Sequence, residues 1–325
     1  MPGKAITSFI ERMNNLGNRG EPFLFIIDAG LNKPEIYKMD EIPEGIRFTT
    51  PLTHSCPNAQ IYSKTFSLKA IPVTFKRYSD AFSTVMENIR NGNTYLLNLT
   101  FPTRIETELT LEEIFRISVA KYKLLYHNDF VVFSPEIFVR IKEGMISSYP
   151  MKGTIDASIP SAMEVILKDE KEKAEHNTII DLIRNDLSMV ADKVAVKRYR
   201  YIDRIRTPEK ELLQVSSEIT GELMKGYEKH LGDIITKMLP AGSVTGAPKT
   251  ETVKIITGCE QYKRGWYTGV FGVFDGKQLD SAVMIRFIER DSKGLVFKSG
   301  GGITYLSDPV REYDELIAKV YVPVG

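Results

Sequence analysis

The chain has 325 residues, enough for a large core, and its 42% apolar and 26% charged fractions are those of an ordinary globular protein. A formal net charge of +1 gives no electrostatic reason for a nucleic-acid partner or a membrane surface. Residues 1–10 lack a long apolar stretch, no run approaches the roughly 18 apolar residues of a membrane helix, and Cys56 and Cys259 stand too far apart for a disulfide framework or zinc site to be expected, so a reducing, cytoplasmic setting is the expectation.

Ile6, Phe9, Ile10 and Met13 recur at helical spacing and predict a helix over 5–16; the apolar run 23–27 predicts a buried strand. The Pro- and Thr-rich stretch 42–53 reads as loop. Ser79-Asp80 reads as the cap of a helix ending at Arg90, closed by the turn Asn91-Gly92-Asn93 and followed by a strand over 94–101. Thr110 and Glu113 satisfy a capping box and open another helix. Short strands are expected at 130–133, 137–141 and 145–149, with Glu136 of Ser134-Pro135-Glu136 at a strand edge. In Pro150-Met151-Lys152-Gly153-Thr154 a proline and a glycine define a stiff turn that presents Lys152 in a fixed direction. A surface lysine in a turn is the plainer alternative.

A charged helix, in one or two pieces, is predicted over 161–184, with strands at 194–202 and 215–223 and a helix at 230–238. The Gly/Pro loop 240–249 feeds a helix whose first residue is read as Pro248. It is no phosphate loop: the G-x-x-x-x-G-K-[ST] spacing is not met, and Pro248 removes an N–H from any cradle. Strands at 269–274, 279–289 and 295–299 precede Gly300-Gly301-Gly302 and a last helix over 309–320. Helices and strands alternate without a βαβ rhythm. The expectation is an α+β fold with large antiparallel sheets flanked by helices, forming one composite domain over 1–325.

Glu172 and Glu175 are three apart on a helix, as are Glu312 and Glu315, so each pair shares a face, and Lys319 continues the second one. Four carboxylates from two helices suit a hard cation such as Mg²⁺, which takes oxygen ligands; ordinary solvated charge pairs are the alternative. Gly300, Gly301 and Gly302 leave backbone N–H groups open to a carboxylate. Arg286, in the company of Val283, Met284, Ile285 and Phe287, is costly unless it meets a carboxylate or points to solvent. With Lys319, these residues describe a pocket for a small acid bearing more than one carboxylate.

Six blocks occur in order: Ser134-Pro135-Glu136, residues 150–154, Glu172-x-x-Glu175-His176 with 180–186, residues 240–249, the three glycines, and residues 311–315. Together they closely resemble the chorismate-utilising enzymes, which include anthranilate synthase component I, aminodeoxychorismate synthase component I, isochorismate synthase and salicylate synthase. The resemblance covers about 78–320, and 1–77 is short beside the N-terminal part usual for the amino-transferring members.

The resemblance implies an anthranilate-synthase-like fold and a set of roles. Glu175 and Glu315 would hold Mg²⁺ most directly, Glu172 and Glu312 would support it through water, and Glu136 would be the general acid for the C4 hydroxyl of chorismate. Arg286, Tyr267, Gly300, Gly301, Gly302 and Lys319 would hold the substrate's carboxylate and enolpyruvyl groups, with Thr154 and Thr245 lining the pocket. Lys152 marks the aminodeoxychorismate synthases, where anthranilate synthases carry alanine. It would attack ring C2, and ammonia from a separate glutaminase subunit would then add at C4. That course requires a neutral amine, hence a lowered lysine pKa. Neither cysteine sits in a Gly-x-Cys-x-Gly elbow, so no fused glutaminase is expected. Two positions depart from the family pattern. Leu96 replaces the lysine or glutamine of relatives and cannot deprotonate water, and Gln214 replaces a histidine and cannot carry a proton near pH 7. Anthranilate formation and a non-catalytic chorismate-binding role are the alternative functions.

Overall fold

The structure is a computed structural model and describes residues 3–55, 66–206 and 211–324. Its helices are α1 (Lys4–Asn18), α2 (Phe75–Arg90), α3 (Leu111–Ile117), α4 (Ala162–Lys168), α5 (Glu170–Ser188), α6 (Leu231–Lys237), α7 (Lys249–Glu260) and α8 (Pro309–Ala318). Among the described residues no helix is long and apolar enough to cross a membrane.

The strand Phe23–Ile27 has every residue buried, and its alternation explains the layering. Phe23, Phe25 and Ile27 pack with Phe9 and Met13 of α1, whereas Leu24 and Ile26 pack with Phe48, Leu124 and Val132 of a second sheet. A strand covered on both faces reads as a continuous apolar run. Two antiparallel sheets thus face each other, with α1, α5 and α6 on one outer face and α2, α3, α7 and α8 on the other.

In the first sheet the order is Met151–Asp156, Glu211–Glu222, Met145–Ser148, Ile137–Lys142, Leu279–Val283, Val270–Phe274, Phe23–Ile27, Glu35–Lys38, with Asp192–Arg206 also on Glu211–Glu222. In the second it is Gly246–Ala247, Leu96–Glu106, Gly294–Ile303, Phe287–Asp291, Phe130–Ser134, Tyr122–Tyr126, Ile46–Thr49, with Lys69–Ile71 also on Leu96–Glu106.

The chain changes sheet at two places that matter for the site. It leaves the second sheet at Ser134 and enters the first at Ile137, so Pro135-Glu136 is the bridge. It returns between Val283 and Phe287. The single strand expected over 279–289 is therefore two strands in different sheets, separated where Arg286 adopts a left-handed φ of 52° that departs from extended backbone. The two crossings are tied together: Val283 N–H donates to Glu136 O (3.1 Å), and Phe133 N–H donates to Arg286 O (3.1 Å).

Other expectations shift in register or kind. The stretch read as a turn around Lys152 is the strand Met151–Asp156, with a register break between Met151 and Thr154 where Gly153 takes a φ of 83°. Helix α2 begins earlier than Ser79, because Thr74 caps it by accepting from Arg77 N–H. The predicted loop 42–53 contains the strand Ile46–Thr49. Pro248 caps α7 instead of opening it. The Thr110–Glu113 capping box is present in both directions, and the charged helix is two helices divided at Asp169, which caps α5 through Glu172 N–H. Cys259 is a buried free thiol; Cys56 lies outside the described residues.

Candidate active site

Both crossings open on a cavity of about 160 Å³, lined by Glu136, Tyr267, Arg286, Gly300 and Lys319 together with Asn98, Ser243 and Lys298. Residues from both sheets and from the end of α8 meet here because the chain bridges the sheets at this point. Arg286 Nη1 donates to the Lys319 carbonyl (2.7 Å), and its guanidinium lies 4.6 Å from the Tyr321 ring centre. Lys319 in turn donates to Gly300 O (2.7 Å) and pairs with Glu315 Oε1 (2.7 Å). Tyr267 is 3% exposed, and burial holds its phenol well above the usual range.

Glu136 is held at three points. Its N–H donates to Ser134 Oγ (3.1 Å), its carbonyl accepts from Val283, and its Oε1 accepts from Ser243 Oγ at 2.5 Å. The residue keeps some exposure because it opens on the cavity, yet its carboxyl is ringed by protein. Burial pushes its pKa up, and the Ser243 hydrogen bond and Lys319 only partly oppose that. A carboxyl in this setting keeps its proton beyond the usual carboxylate range.

Beside the cavity lies the acidic cluster of α5 and α8. Lys152 Nζ stands 2.6 Å from Oε2 of Glu175, whose side chain is 9% exposed. Burial acts against the Lys152 ammonium, but Glu175, its hydrogen bond, Glu172 and Glu315 outweigh it, and the pKa is raised. With these carboxylates as its charged company the direction is opposite to the lowered pKa expected for attack on the ring.

The four glutamates suit Mg²⁺ in donor chemistry, and two glycines leave room beside them. A Cβ on Gly153 would lie 3.3 Å from Glu172 Oε2. One on Gly301 would lie 3.5 Å from Glu312 Oε2 and 4.0 Å from Glu315 Oε1. Among the described residues no group of three or more acidic, histidine or cysteine side chains is placed to hold a metal ion by itself. The arrangement sets carboxylate oxygens, the donors a hard cation takes, beside Lys152 and Lys319 as counter-charges.

The structure places other expected residues elsewhere. Thr154 is exposed on its strand opposite Gln214, whose Nε2 donates to Thr154 Oγ1 across a long 3.5 Å. Thr245 is buried, and its hydroxyl donates to Ala241 O (2.9 Å); neither threonine nor Gln214 lines the cavity. The glycine run is not an open loop. It belongs to the strand Gly294–Ile303, with Gly300, Gly301 and Gly302 opposite Thr100, Leu99 and Asn98, and only Gly300 lines the cavity. Leu96 is 5% exposed and its Cδ1 would lie 3.2 Å from a Cβ on Gly302, so an aliphatic group fills that place.

Sequence reasoning missed Ser243, Asn98 and Lys298. It also missed Arg264, whose guanidinium pairs with Glu260 (2.6 Å) and donates to the carbonyls of Asn98 (2.6 Å) and Val244 (2.7 Å). Ser243 lies inside a block already singled out, so its hydroxyl was the available signal. Glu260 and Arg264 have the spacing of an ordinary surface pair, and only burial distinguishes them.

A family model described as chorismate binding enzyme matches residues 38–324. The chain is 47% identical over 323 residues to an uncharacterised PabA-like protein of Pasteurella multocida, covering 99% of this chain and 100% of that relative. It is 33% identical over 262 residues to anthranilate synthase component 1 of Haloarcula marismortui, covering 76% of this chain and 52% of the relative, about half of that protein's length. Among solved structures, a candidate 2,3-dihydroxybenzoate-specific isochorismate synthase of Bacillus anthracis superposes with a TM-score of 0.74 at 19% identity, covering 98% of this chain and 88% of the other. That likeness speaks for the shared two-sheet α+β fold.

Proposed function

The chain belongs to the chorismate binding enzyme family, and from that premise we propose that it is an aminodeoxychorismate synthase component I. It would convert chorismate and ammonia to 4-amino-4-deoxychorismate in the cytoplasm, for 4-aminobenzoate and folate, with ammonia supplied by a separate glutaminase subunit. The observation that carries this choice is Lys152, an amine held within the cluster of Glu172, Glu175 and Glu315.

A bound Mg²⁺, held by Glu175 and Glu315 with Glu172 and Glu312 behind them, would supply positive charge for the substrate's ring carboxylate. Arg286 and Lys319 offer further positive charge on the cavity wall for the enolpyruvyl carboxylate. Lys152 nitrogen bonds to ring C2, the ring π-electrons shift, and the C4–O bond breaks as Glu136 gives its proton to the departing hydroxyl, releasing water. Ammonia then bonds to C4, the π-electrons shift back, and the C2–N bond breaks to return Lys152 as an amine. Lys152 is an ammonium while it serves as partner of Glu175, so attack requires that carboxylate to be engaged elsewhere and the proton lost. Leu96 offers no base for water, which disfavours hydroxylation at C2.

Similarity to an anthranilate synthase supports a second reading, amination at C2. Product analysis separates them. Chorismate, Mg²⁺ and ammonium should give a product that becomes 4-aminobenzoate only after a lyase is added. Direct appearance of fluorescent 2-aminobenzoate without a lyase would overturn the proposal.

A further inference from the structure

Ser243 is the residue nearest the carboxyl of Glu136, and the fold goes to some length to fix it. It sits in the 3₁₀ turn Gly242–Val244. Gly242 N–H donates to Asp186 Oδ2 (3.3 Å), and Asp186 is itself locked to Lys249 by a 2.7 Å ion pair. On the other side, the Val244 carbonyl accepts from Asn98 Nδ2 (3.2 Å) and from Arg264 Nη1 (2.7 Å). The turn is thus pinned on both flanks of one serine. That serine makes a 2.5 Å hydrogen bond to Glu136 Oε1, at the short end of O–H···O contacts.

Ser243 and Glu136 also stand side by side in the wall between two cavities. One is the cavity of Arg286 and Lys319; the other is a smaller chamber lined by Tyr149, Pro150 and Asp186. Oε1 is occupied by Ser243, while among the described residues no hydrogen bond is made to Oε2.

We propose that Ser243 is the positioning residue of the general acid: by donating to Oε1 it leaves the transferable proton on Oε2 and fixes the carboxyl plane against the cavity. This rests on the reading of Glu136 as the acid. When that proton passes from Oε2 to the leaving hydroxyl, the C4–O bond breaks and water departs. The negative charge that stays on Glu136 is met at Oε1 by a hydrogen bond already formed, which needs no reorganisation. Ser243 therefore makes Glu136 a stronger acid than burial alone would allow. The charged and titratable groups facing Glu136 are Tyr267, Arg286, Lys298 and Lys319 across the cavity and Asp186 in the smaller chamber. Among the described residues none of these groups hydrogen-bonds to the carboxyl, whereas Ser243 does.

Infrared titration of the whole protein tests this without turnover, the Glu136→Gln difference spectrum identifying the Glu136 carboxyl band. Ser243→Ala should move the midpoint of that band to higher pH, and Ser243→Thr, which keeps the hydroxyl, should return it toward the wild-type value. In chorismate consumption with Mg²⁺ and ammonium, Ser243→Ala should lower kcat by about 10- to 100-fold with KM little changed, the loss of one hydrogen bond to a charged group. A midpoint unmoved in Ser243→Ala overturns the inference, whatever the rate. If Glu136→Gln instead turns over at the wild-type rate, the acid reading itself falls and the inference with it. A dead Glu136→Gln with an unmoved Ser243→Ala midpoint refutes Ser243 alone.

Discussion

Lys152 Nζ and Glu175 Oε2 are 2.6 Å apart, at the point where the strand Met151–Asp156 passes α5. The register break at Gly153 lies next to Lys152, so the local backbone irregularity and the buried carboxylate act on the same side chain. An amine held in this way has a defined direction, and its protonation depends on what else Glu175 binds. Replacing Lys152 by alanine should reduce amination by about three orders of magnitude or more, as for other nucleophile deletions. Steady-state kinetics with ammonium as donor checks this, and KM for chorismate should change little.

The carboxylates of α5 and α8 should govern metal affinity. Calorimetric titration of the protein with Mg²⁺ should show affinity reduced at least about tenfold in Glu175→Ala and in Glu315→Ala, with a smaller loss in Glu172→Ala. Chelation should abolish turnover reversibly. Equal affinity in all variants would remove the metal from this cluster.

Glu136 predicts a pH-dependent stability with a definite sign. Its folded pKa is raised by burial, so the native state binds its proton more tightly than the unfolded chain. The stability this gives is fully present below the unfolded pKa and is lost as pH rises through the folded pKa. Glu136→Gln, which cannot ionise, should therefore melt at a higher temperature than wild type at neutral and alkaline pH, the difference closing near about pH 4. Calorimetry across that range reads it directly.

A buried polar tie joins the two sheets away from the site. Tyr122 OH donates to Asp280 Oδ1 (2.6 Å), Arg140 Nε donates to Asp280 Oδ2 (3.0 Å), and Asp280 is 3% exposed. Asp280→Ala leaves Arg140 without its carboxylate and should cost about 3–5 kcal/mol, whereas Tyr122→Phe should cost about 1–3 kcal/mol. Denaturant unfolding of both variants gives the comparison.

Much of this architecture is legible in local signals. The apolar run Phe23–Ile27, the capping box at Thr110 and the Asn91-Gly92-Asn93 turn each follow from short-range chemistry, and the structure has them where the sequence says. Signals that fail are those decided at long range. Nothing local shows that residues 279–289 change sheets, because both halves are equally apolar; only the φ of Arg286 and its bond to Phe133 reveal it. The turn around Lys152 became a strand because Glu211–Glu222 pairs with it, which no short window contains. Of the site residues, Lys152 and Arg286 were visible as odd charges in glycine-rich or apolar company, and the four glutamates as pairs at helical spacing. Ser243 and Arg264 were not, since a serine in a loop and an i,i+4 pair are commonplace until burial and partners are known.

The account stands most directly on the bond between Lys152 and the ring. The protein should be incubated with chorismate and Mg²⁺ without ammonia, quenched under trapping conditions, and its peptides weighed. The prediction is a mass gain equal to chorismate less one water, located on Lys152 and discharged when ammonium is added before the quench. A Lys152 peptide that stays unmodified, in protein that turns chorismate over once ammonium is supplied, would contradict the account.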